Sequence, residues 1–484
     1  MTLLVIAVVL ALVCIGAPLY VIVGVTTASC LAAFTDLSTI SKLQVLVQHM
    51  ENLATKQEFL AIPLFVASGA IMTAGGIARR LVELMQALLG ALPGGLAIAA
   101  VAACMFFAAI SGSSPVTLIA VGSMMFPALV QNRYPENFSL GLITTAGSLG
   151  CLVPPSLSML IYAISVSGAV SVDASDLFLA GLIPACLVAG LLSVYCVWQG
   201  RKVPGERPRF SLAEVKDKAK AGAWSLLLPI LVLGGIYGGW YTPSQAGAVA
   251  VAYSLIVTIW IHRELTLKRA FVALVDAAEL MGALLPIIVL AFGLNEFLAL
   301  VDVQERLLAA VRAMNLSAAG FLLLVNIALV VLGALMDSVS ATLIFAPMLA
   351  PVAYQVYGID PIHFGVIFVV NMEIGYLAPP VATNLFVASA IFKKPFAQVA
   401  RAVMPTLAIT CLALLLIIYI PTISLGALNL RDGRPLYAAF PWAGKPAAPA
   451  VETAPEGPSL RSLTGKLIDE LENDQPPPSD KPSP

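Results

Sequence analysis

The sequence predicts an all-α integral membrane protein built from two inverted-topology repeats. Three observations predict this fold class. The 484-residue chain is 60% hydrophobic and only 11% charged, whereas soluble domains carry about 25% charged residues. Apolar runs long enough to cross a bilayer recur along the chain. Finally, a set of prolines and glycines recurs at an offset of 225 residues, which indicates an internal repeat.

Charge and cysteine content exclude several other classes of protein. The chain has 26 Lys and Arg against 27 Asp and Glu, so it has no basic field for a nucleic-acid backbone. The seven cysteines are scattered, without the paired spacing that binds zinc or an iron–sulfur cluster. Residues 1–35 carry no charge and therefore lack the basic start of a signal peptide. We expect this first stretch to remain in the protein.

Apolar runs predict the membrane spans in order along the chain. Two runs, 94–132 and 318–356, are too long for one span, because a helix of the first run would reach roughly 58 Å. We predict that they are re-entrant hairpins turning at 111–115 and 336–340, each preceded by an amphipathic helix, 77–90 or 303–315. The other predicted spans are 2–16, 19–35, 58–77, 138–167, 177–199, 223–240, 245–261, 271–300, 363–391 and 404–424.

The repeat divides the chain into four predicted segments. Gly150 to Pro155 and Gly375 to Pro380 share the pattern G-x-L-x-P-P, and Pro18 recurs as Pro243. Each half then contains scaffold spans, an arm helix, a hairpin and a broken helix. The predicted segments are a first repeat over 1–200, a cytoplasmic basic linker over 201–222, a second repeat over 223–426 and a proline-rich, mostly disordered tail over 427–484. A short amphipathic helix over 460–471 is an alternative within that tail.

Lysines and arginines in the loops predict the orientation. The basic stretch 200–222 and the loop 263–269 should be cytoplasmic. Hairpin one then enters from the cytoplasm and hairpin two from the opposite face, which makes the halves inverted. Both termini would be periplasmic.

The helix breaks carry the predicted chemistry. A double proline removes N–H donors and frees carbonyl oxygens, and irregular backbone at membrane depth survives only in protein or beside a cavity. Freed carbonyls suit a hard cation such as Na⁺. The helices that follow could face an anion with their positive ends. Packing kinks and close helix packing are the structural alternatives.

Five motifs together resemble the large membrane subunit, DctM, of tripartite ATP-independent periplasmic (TRAP) transporters. They are Ile110 to Ser114, Gly150 to Ser156 with Asp176 to Gly181, Tyr241 to Ser244, Gly358 to Gly365 and Ala378 to Val387. The resemblance covers about residues 1–426. It implies a sodium-driven elevator-type transporter in the bacterial inner membrane that takes up an organic acid. It also implies two partners, a small four-helix membrane subunit of DctQ type and a periplasmic substrate-binding protein of DctP type.

The resemblance also implies site residues. A first sodium site would use Ser111, Ser114, Gly150, Val153 and Pro155, and a second would use Gly333, Asp337, Gly375, Ala378 and Val381. The hydroxyl and amide groups beside them would bind substrate: Ser113, Ser156, Ser158, Ser338, Ser340, Thr383 and Asn384. Four positions depart from the family, which usually has threonine at Ala378, glycine at Ala382, a small residue at Pro115 and glutamate at Gln245. Site two should therefore be weaker or built from backbone alone.

Two other functions compete with this interpretation. One is a stand-alone sodium- or proton-coupled anion carrier of the same architecture. The other is an intramembrane serine protease, but Gly112 to Pro115 lacks the trailing glycine of a G-x-S-G motif. We therefore expect no enzyme activity, and no cofactor beyond sodium as the coupling ion.

Overall fold

A computed structural model describes residues 7–8, 11–12, 15, 19–34, 57–203, 210–380 and 382–440. All regular secondary structure in these ranges is helical. Within them, nine helices are long and apolar enough to cross a membrane. The predicted fold class, an all-α multi-pass membrane protein, is confirmed. Most of the first predicted span, 2–16, and the alternative helix over 460–471 lie outside the described residues.

Eighteen helices are numbered here in chain order. They are α1 (Leu19–Phe34), α2 (Gln57–Ala74), α3 (Ile77–Leu89), α4 (Gly95–Ser111), α5 (Ser114–Gln131), α6 (Glu136–Ser148), α7 (Leu157–Val166), α8 (Ala174–Gly200), α9 (Leu212–Tyr237), α10 (Pro243–Ile261), α11 (Leu267–Leu300), α12 (Val303–Ala313), α13 (Ala318–Leu335), α14 (Ser338–Tyr357), α15 (Pro361–Gly375), α16 (Thr383–Phe392), α17 (Phe396–Tyr419) and α18 (Thr422–Arg431).

The two halves follow the same helical plan. In the first half, the hairpin and broken-helix segments begin at residues 95, 114, 136 and 157, and in the second at 318, 338, 361 and 383. Every start therefore shifts by 225 residues to within two. Hairpin one (α4 and α5) turns at Gly112, whose φ of 59° is left-handed, a conformation that glycine adopts without strain. Hairpin two (α13 and α14) turns at Met336 and Asp337. Both predicted hairpins are present as helix–turn–helix units.

Helix α9 begins inside the predicted basic linker. It starts at Leu212, and the hydroxyl of Ser211 caps it by accepting from the N–H of Glu214 at 3.3 Å. Lys218 lies on this helix and forms an ion pair with Glu83 of α3 at 2.8 Å. The apolar-run criterion began the span too late in the chain, at 223, because the first turns of α9 are charged although they are already helical.

The ordered chain also extends into the predicted disordered tail. Helix α18 ends at Arg431, which forms an ion pair with Asp176 at 2.7 Å. Beyond it the ring of Phe440 is buried and lies 5.6 Å from that of Tyr419. An aromatic contact and an ion pair therefore hold the first residues of the predicted tail against the membrane helices, and the rest of that tail, 441–484, lies outside the described residues.

The first arm helix, α3, packs with one face and forms ion pairs with the other. Leu81 and Met85 are buried, whereas Arg79 and Arg80 contact Glu264 at 3.0 and 2.8 Å. Glu264 lies in the loop after α10. These contacts fix α3 against α9 and the α10–α11 loop.

Amide side chains hold the second limb of hairpin two. Pro347 has no N–H for the carbonyl of Leu343, four residues before it, and that oxygen instead accepts from Asn295 Nδ2 of α11 at 2.7 Å. Pro351 likewise frees the carbonyl of Pro347, which accepts from Gln304 Nε2 of α12 at 3.2 Å. Two helix-breaking prolines thus create the bonding sites through which neighbouring helices position the hairpin.

Candidate ion and substrate site

The tip of hairpin one lies directly against the first helix break. The carbonyl of Gly112 accepts from the N–H of Leu157 at 3.2 Å, and a Cβ added at Gly112 would lie 2.6 Å from the oxygen of Pro155. A Cβ at Gly150 would lie 2.6 Å from the carbonyl carbon and oxygen of Ser113. Backbone therefore meets backbone here, and both glycines are required for the close approach.

Hydroxyl groups surround the tip of hairpin one. The Ser111 and Thr117 hydroxyls lie 2.8 Å apart, and Thr117 Oγ1 donates to the carbonyl of Ser113 at 2.9 Å. Ser111 and Ser114 are buried, and so are Val153 and Pro155 in the break. The predicted residues of sodium site one are thus brought together, with a cluster of carbonyl and hydroxyl oxygens of the kind a hard cation prefers.

The second break approaches hairpin two in the same way. A Cβ at Gly375 would lie 2.5 Å from Gly333 Cα and 2.9 Å from its oxygen. The two breaks differ in exposure, because Pro379 and Pro380 are exposed and Ala378 is half-buried, whereas the first break is buried throughout. Of the predicted second sodium site, Gly333 and Gly375 are in contact, and Val381 lies outside the described residues.

Two predicted residues cap helices. Asp337 accepts from the N–H and the hydroxyl of Ser340 at 3.0 and 2.7 Å, at the start of α14. Ser156 begins α7, where it accepts from the N–H of Met159 at 3.4 Å and donates to the carbonyl of Cys151. These bonds satisfy helix ends. The Ser340 hydroxyl is directed to Asp337, so its predicted role in substrate binding would require this bond to change.

Each hairpin tip touches the broken helix of the other half. Asn384 Nδ2, at the start of α16, donates to the hydroxyl of Ser114 in hairpin one at 2.6 Å. The hydroxyls of Ser158 in α7 and Ser338 in hairpin two lie 3.3 Å apart. The 225-residue offset relates the two contacts to within one residue, and reciprocal contacts of this kind are the mark of a two-fold axis. The predicted residues Ser158, Ser338 and Asn384 therefore lie where the two halves meet. We call the region of these two contacts the centre.

Four helices begin at this centre: α5, α7, α14 and α16. Their dipoles place positive ends there, and two of these ends, of α14 and α7, are already capped by Asp337 and Ser156. Among the described residues, no Lys or Arg is fully buried. An anion bound at the centre would thus be held by helix N-termini and by hydroxyl and amide groups. Ser113 and Thr383 are half-buried beside it.

The structure adds site residues that the motif analysis did not select. Tyr376 places its hydroxyl 2.8 Å from that of Ser338, and Thr117 joins Ser111 and Ser113. Glu373 accepts a hydrogen bond from Ser148 at 2.9 Å. The repeat contained a signal for one of them, since Thr117 recurs as Thr342. Glu373 also has a sequence signal, because it is an acidic residue within a predicted membrane span, whereas Tyr376 follows only from tertiary contacts.

Comparison with known proteins agrees with this architecture. The family described as "Tripartite ATP-independent periplasmic transporter, DctM component" matches residues 6–423. The chain belongs to the DctM family of TRAP transporters. By its description, DctM is one component of a tripartite system, and the family is a transporter permease rather than an enzyme.

Several characterised DctM proteins are similar over most of their length. The C4-dicarboxylate TRAP transporter large permease of Pseudomonas aeruginosa is 43% identical over 76% of this chain and 86% of its own. Its counterpart from Rhodobacter capsulatus is 37% identical over 87% of this chain and 97% of its own. The ectoine permease TeaC of Halomonas elongata is 32% identical over 89% of this chain and 99% of its own.

A solved transporter shares the fold of this DctM protein. The YdaH transporter of Alcanivorax borkumensis superposes with a TM-score of 0.60, covering 87% of this chain and 98% of its own at 15% sequence identity. At that identity the likeness concerns the fold alone.

Proposed function

We propose that this protein is the large permease subunit of a sodium-coupled TRAP transporter that takes up an organic acid anion across the bacterial inner membrane. Its partners are a small DctQ-type membrane subunit and a periplasmic DctP-type protein that delivers the substrate. The arm helices, hairpins and broken helices form the transport domain, which moves past a scaffold of the remaining spans in an elevator mechanism. Na⁺ is transported together with the substrate as the coupling ion and is not a permanently bound cofactor.

The convergence of four helix N-termini with two glycine-lined backbone contacts carries this proposal. Positive helix ends favour an anion, and carbonyl and hydroxyl oxygens favour Na⁺. Within the described ranges, no group of three His, Cys, Asp or Glu side chains could hold a metal ion, so the cation ligands proposed here come largely from backbone and hydroxyl oxygens. The dicarboxylate permeases among the relatives support a small organic acid as substrate.

Uptake into proteoliposomes tests the proposal. The permease is reconstituted with its small subunit, and the binding protein is added with radiolabelled C4-dicarboxylate or another organic acid. We expect uptake that requires the binding protein and a sodium gradient and stops when choline replaces Na⁺. Uptake driven by a proton gradient without Na⁺ would contradict sodium coupling. Uptake without the binding protein would instead identify a stand-alone carrier.

A further inference from the structure

Ser148 and Glu373 are equivalent residues of the two repeats and bond to each other. They are 225 residues apart, and the Ser148 hydroxyl lies 2.9 Å from Glu373 Oε1 and 2.6 Å from the carbonyl oxygen of Thr145, so its one proton is shared between the two acceptors. Residues related by a two-fold axis contact one another only where they lie beside that axis. The pair therefore marks the line along which the two halves meet, between the first and second helix breaks.

The carboxyl group of Glu373 is buried and only partly hydrogen-bonded. The residue has no solvent exposure, and in the described part of the chain Oε2 has no hydrogen-bond partner. An unpaired buried oxygen costs stability, and an ionisable group inside a membrane protein indicates function. A contact made only for packing would be served as well by an apolar residue.

Each of the two residues lies just before one of the two proposed ion-binding loops. Ser148 ends α6 two residues before Gly150, which touches the tip of hairpin one. Glu373 lies two residues before Gly375, which touches Gly333 of hairpin two. The Ser148–Glu373 hydrogen bond therefore connects the two segments just before both proposed ion-binding loops.

We infer that the Ser148–Glu373 hydrogen bond couples the two sodium sites, so that Na⁺ at one site raises the affinity of the other. Glu373 is in this sense a positioning residue, since it acts through the loops and not as an ion ligand. The inference rests on the sodium coupling proposed above. Coupling between sites typically changes affinity about 5- to 150-fold and raises the Hill coefficient, up to about 2 for two sites.

The experiment compares sodium titrations of uptake by the complete transporter with its partners. Ser148→Ala removes the donor, and Glu373→Met removes the acceptor at similar volume. Glu373→Gln is the conservative variant, because its amide can still bond the same hydroxyl. Ser139→Ala is the matched control, because Ser139 is also buried in α6. Its hydroxyl donates to the carbonyl of Pro135, four residues earlier, at 3.1 Å and so makes no bond to the second half.

We expect Ser148→Ala and Glu373→Met to lower the Hill coefficient from about 2 towards 1 and to raise the sodium half-saturation at least about fivefold. Glu373→Gln and Ser139→Ala should keep the wild-type Hill coefficient. If Glu373→Met fails to fold, Ser148→Ala decides alone, because it removes one oxygen atom.

Two results would overturn the inference. Sodium-dependent uptake with the same Hill coefficient in the wild type and in Ser148→Ala would refute the coupling and leave the proposed function intact. Wild-type uptake that does not depend on sodium would refute the proposed function and this inference with it.

Discussion

Substitution of Gly150 by alanine tests a close backbone contact at the proposed sodium site one. The new Cβ would lie 2.6 Å from the carbonyl carbon of Ser113 and 2.7 Å from the nitrogen of Ser114, whereas ordinary contacts begin at 3.4 Å. Both obstacles are backbone atoms, so tip and break must separate by about 1 Å. Binding sites tolerate displacements of only about 0.5 Å. We expect sodium affinity to fall at least tenfold, which corresponds to about 1.4 kcal/mol.

The measurement is the sodium half-saturation of uptake in proteoliposomes, with melting temperature in detergent as a check on folding. Gly190→Ala is the matched control, because Gly190 lies within α8 and a Cβ there meets no atom within 4 Å. It should leave half-saturation unchanged. A Gly150→Ala protein that folds and keeps the wild-type half-saturation would show that this contact does not shape an ion site.

Three further substitutions test other features of the site and its supports. Ala378→Thr should lower the sodium half-saturation about tenfold if its hydroxyl supplies a charge-assisted contact of roughly 1.5 to 3 kcal/mol; no change would indicate a backbone-built second site. Ala382 has a φ of 46°, which costs an L-residue about 1–2 kcal/mol, so Ala382→Gly should raise the melting temperature. Burial, aided by the charge of Arg80, lowers the pKa of His262. Its neutral form therefore stabilises the fold above about pH 6.5 and this stability is lost as pH falls below that value, so His262→Gln should reduce the loss of melting temperature between pH 7.5 and pH 5.5.

Sequence patterns predicted the elements of the fold because those patterns are local. A double proline determines where a helix breaks, and small residues within a long, almost uncharged run determine where the chain turns. Both hairpins and both breaks lie where predicted. The start of α9 was missed for a different reason. Its first turns are charged and interrupt an apolar run without interrupting the helix, and the contact of Phe440 with Tyr419 depends on a single ring that no periodic pattern predicts.

The partners within the site were beyond the reach of local patterns. Ser158 and Ser338 are 180 residues apart, and Ser114 and Asn384 are 270 apart. Such contacts depend on how the two halves pack, which composition and periodicity do not specify. The repeat offset reveals which residues are equivalent. It does not reveal that Ser148 and Glu373 touch, because that requires knowing where the axis runs.

The crossed contacts have a consequence for how the site can form. Hairpin one depends on Asn384 of the second half to satisfy Ser114, and Glu373 depends on Ser148 of the first half. Either half alone would lose these bonds, and an unsatisfied buried polar group costs roughly 1–3 kcal/mol. Each half supplies the residues of one proposed sodium site, but the contacts at the proposed substrate site need residues from both halves. Transport by this architecture requires both repeats to be folded against each other, with the centre belonging equally to the two.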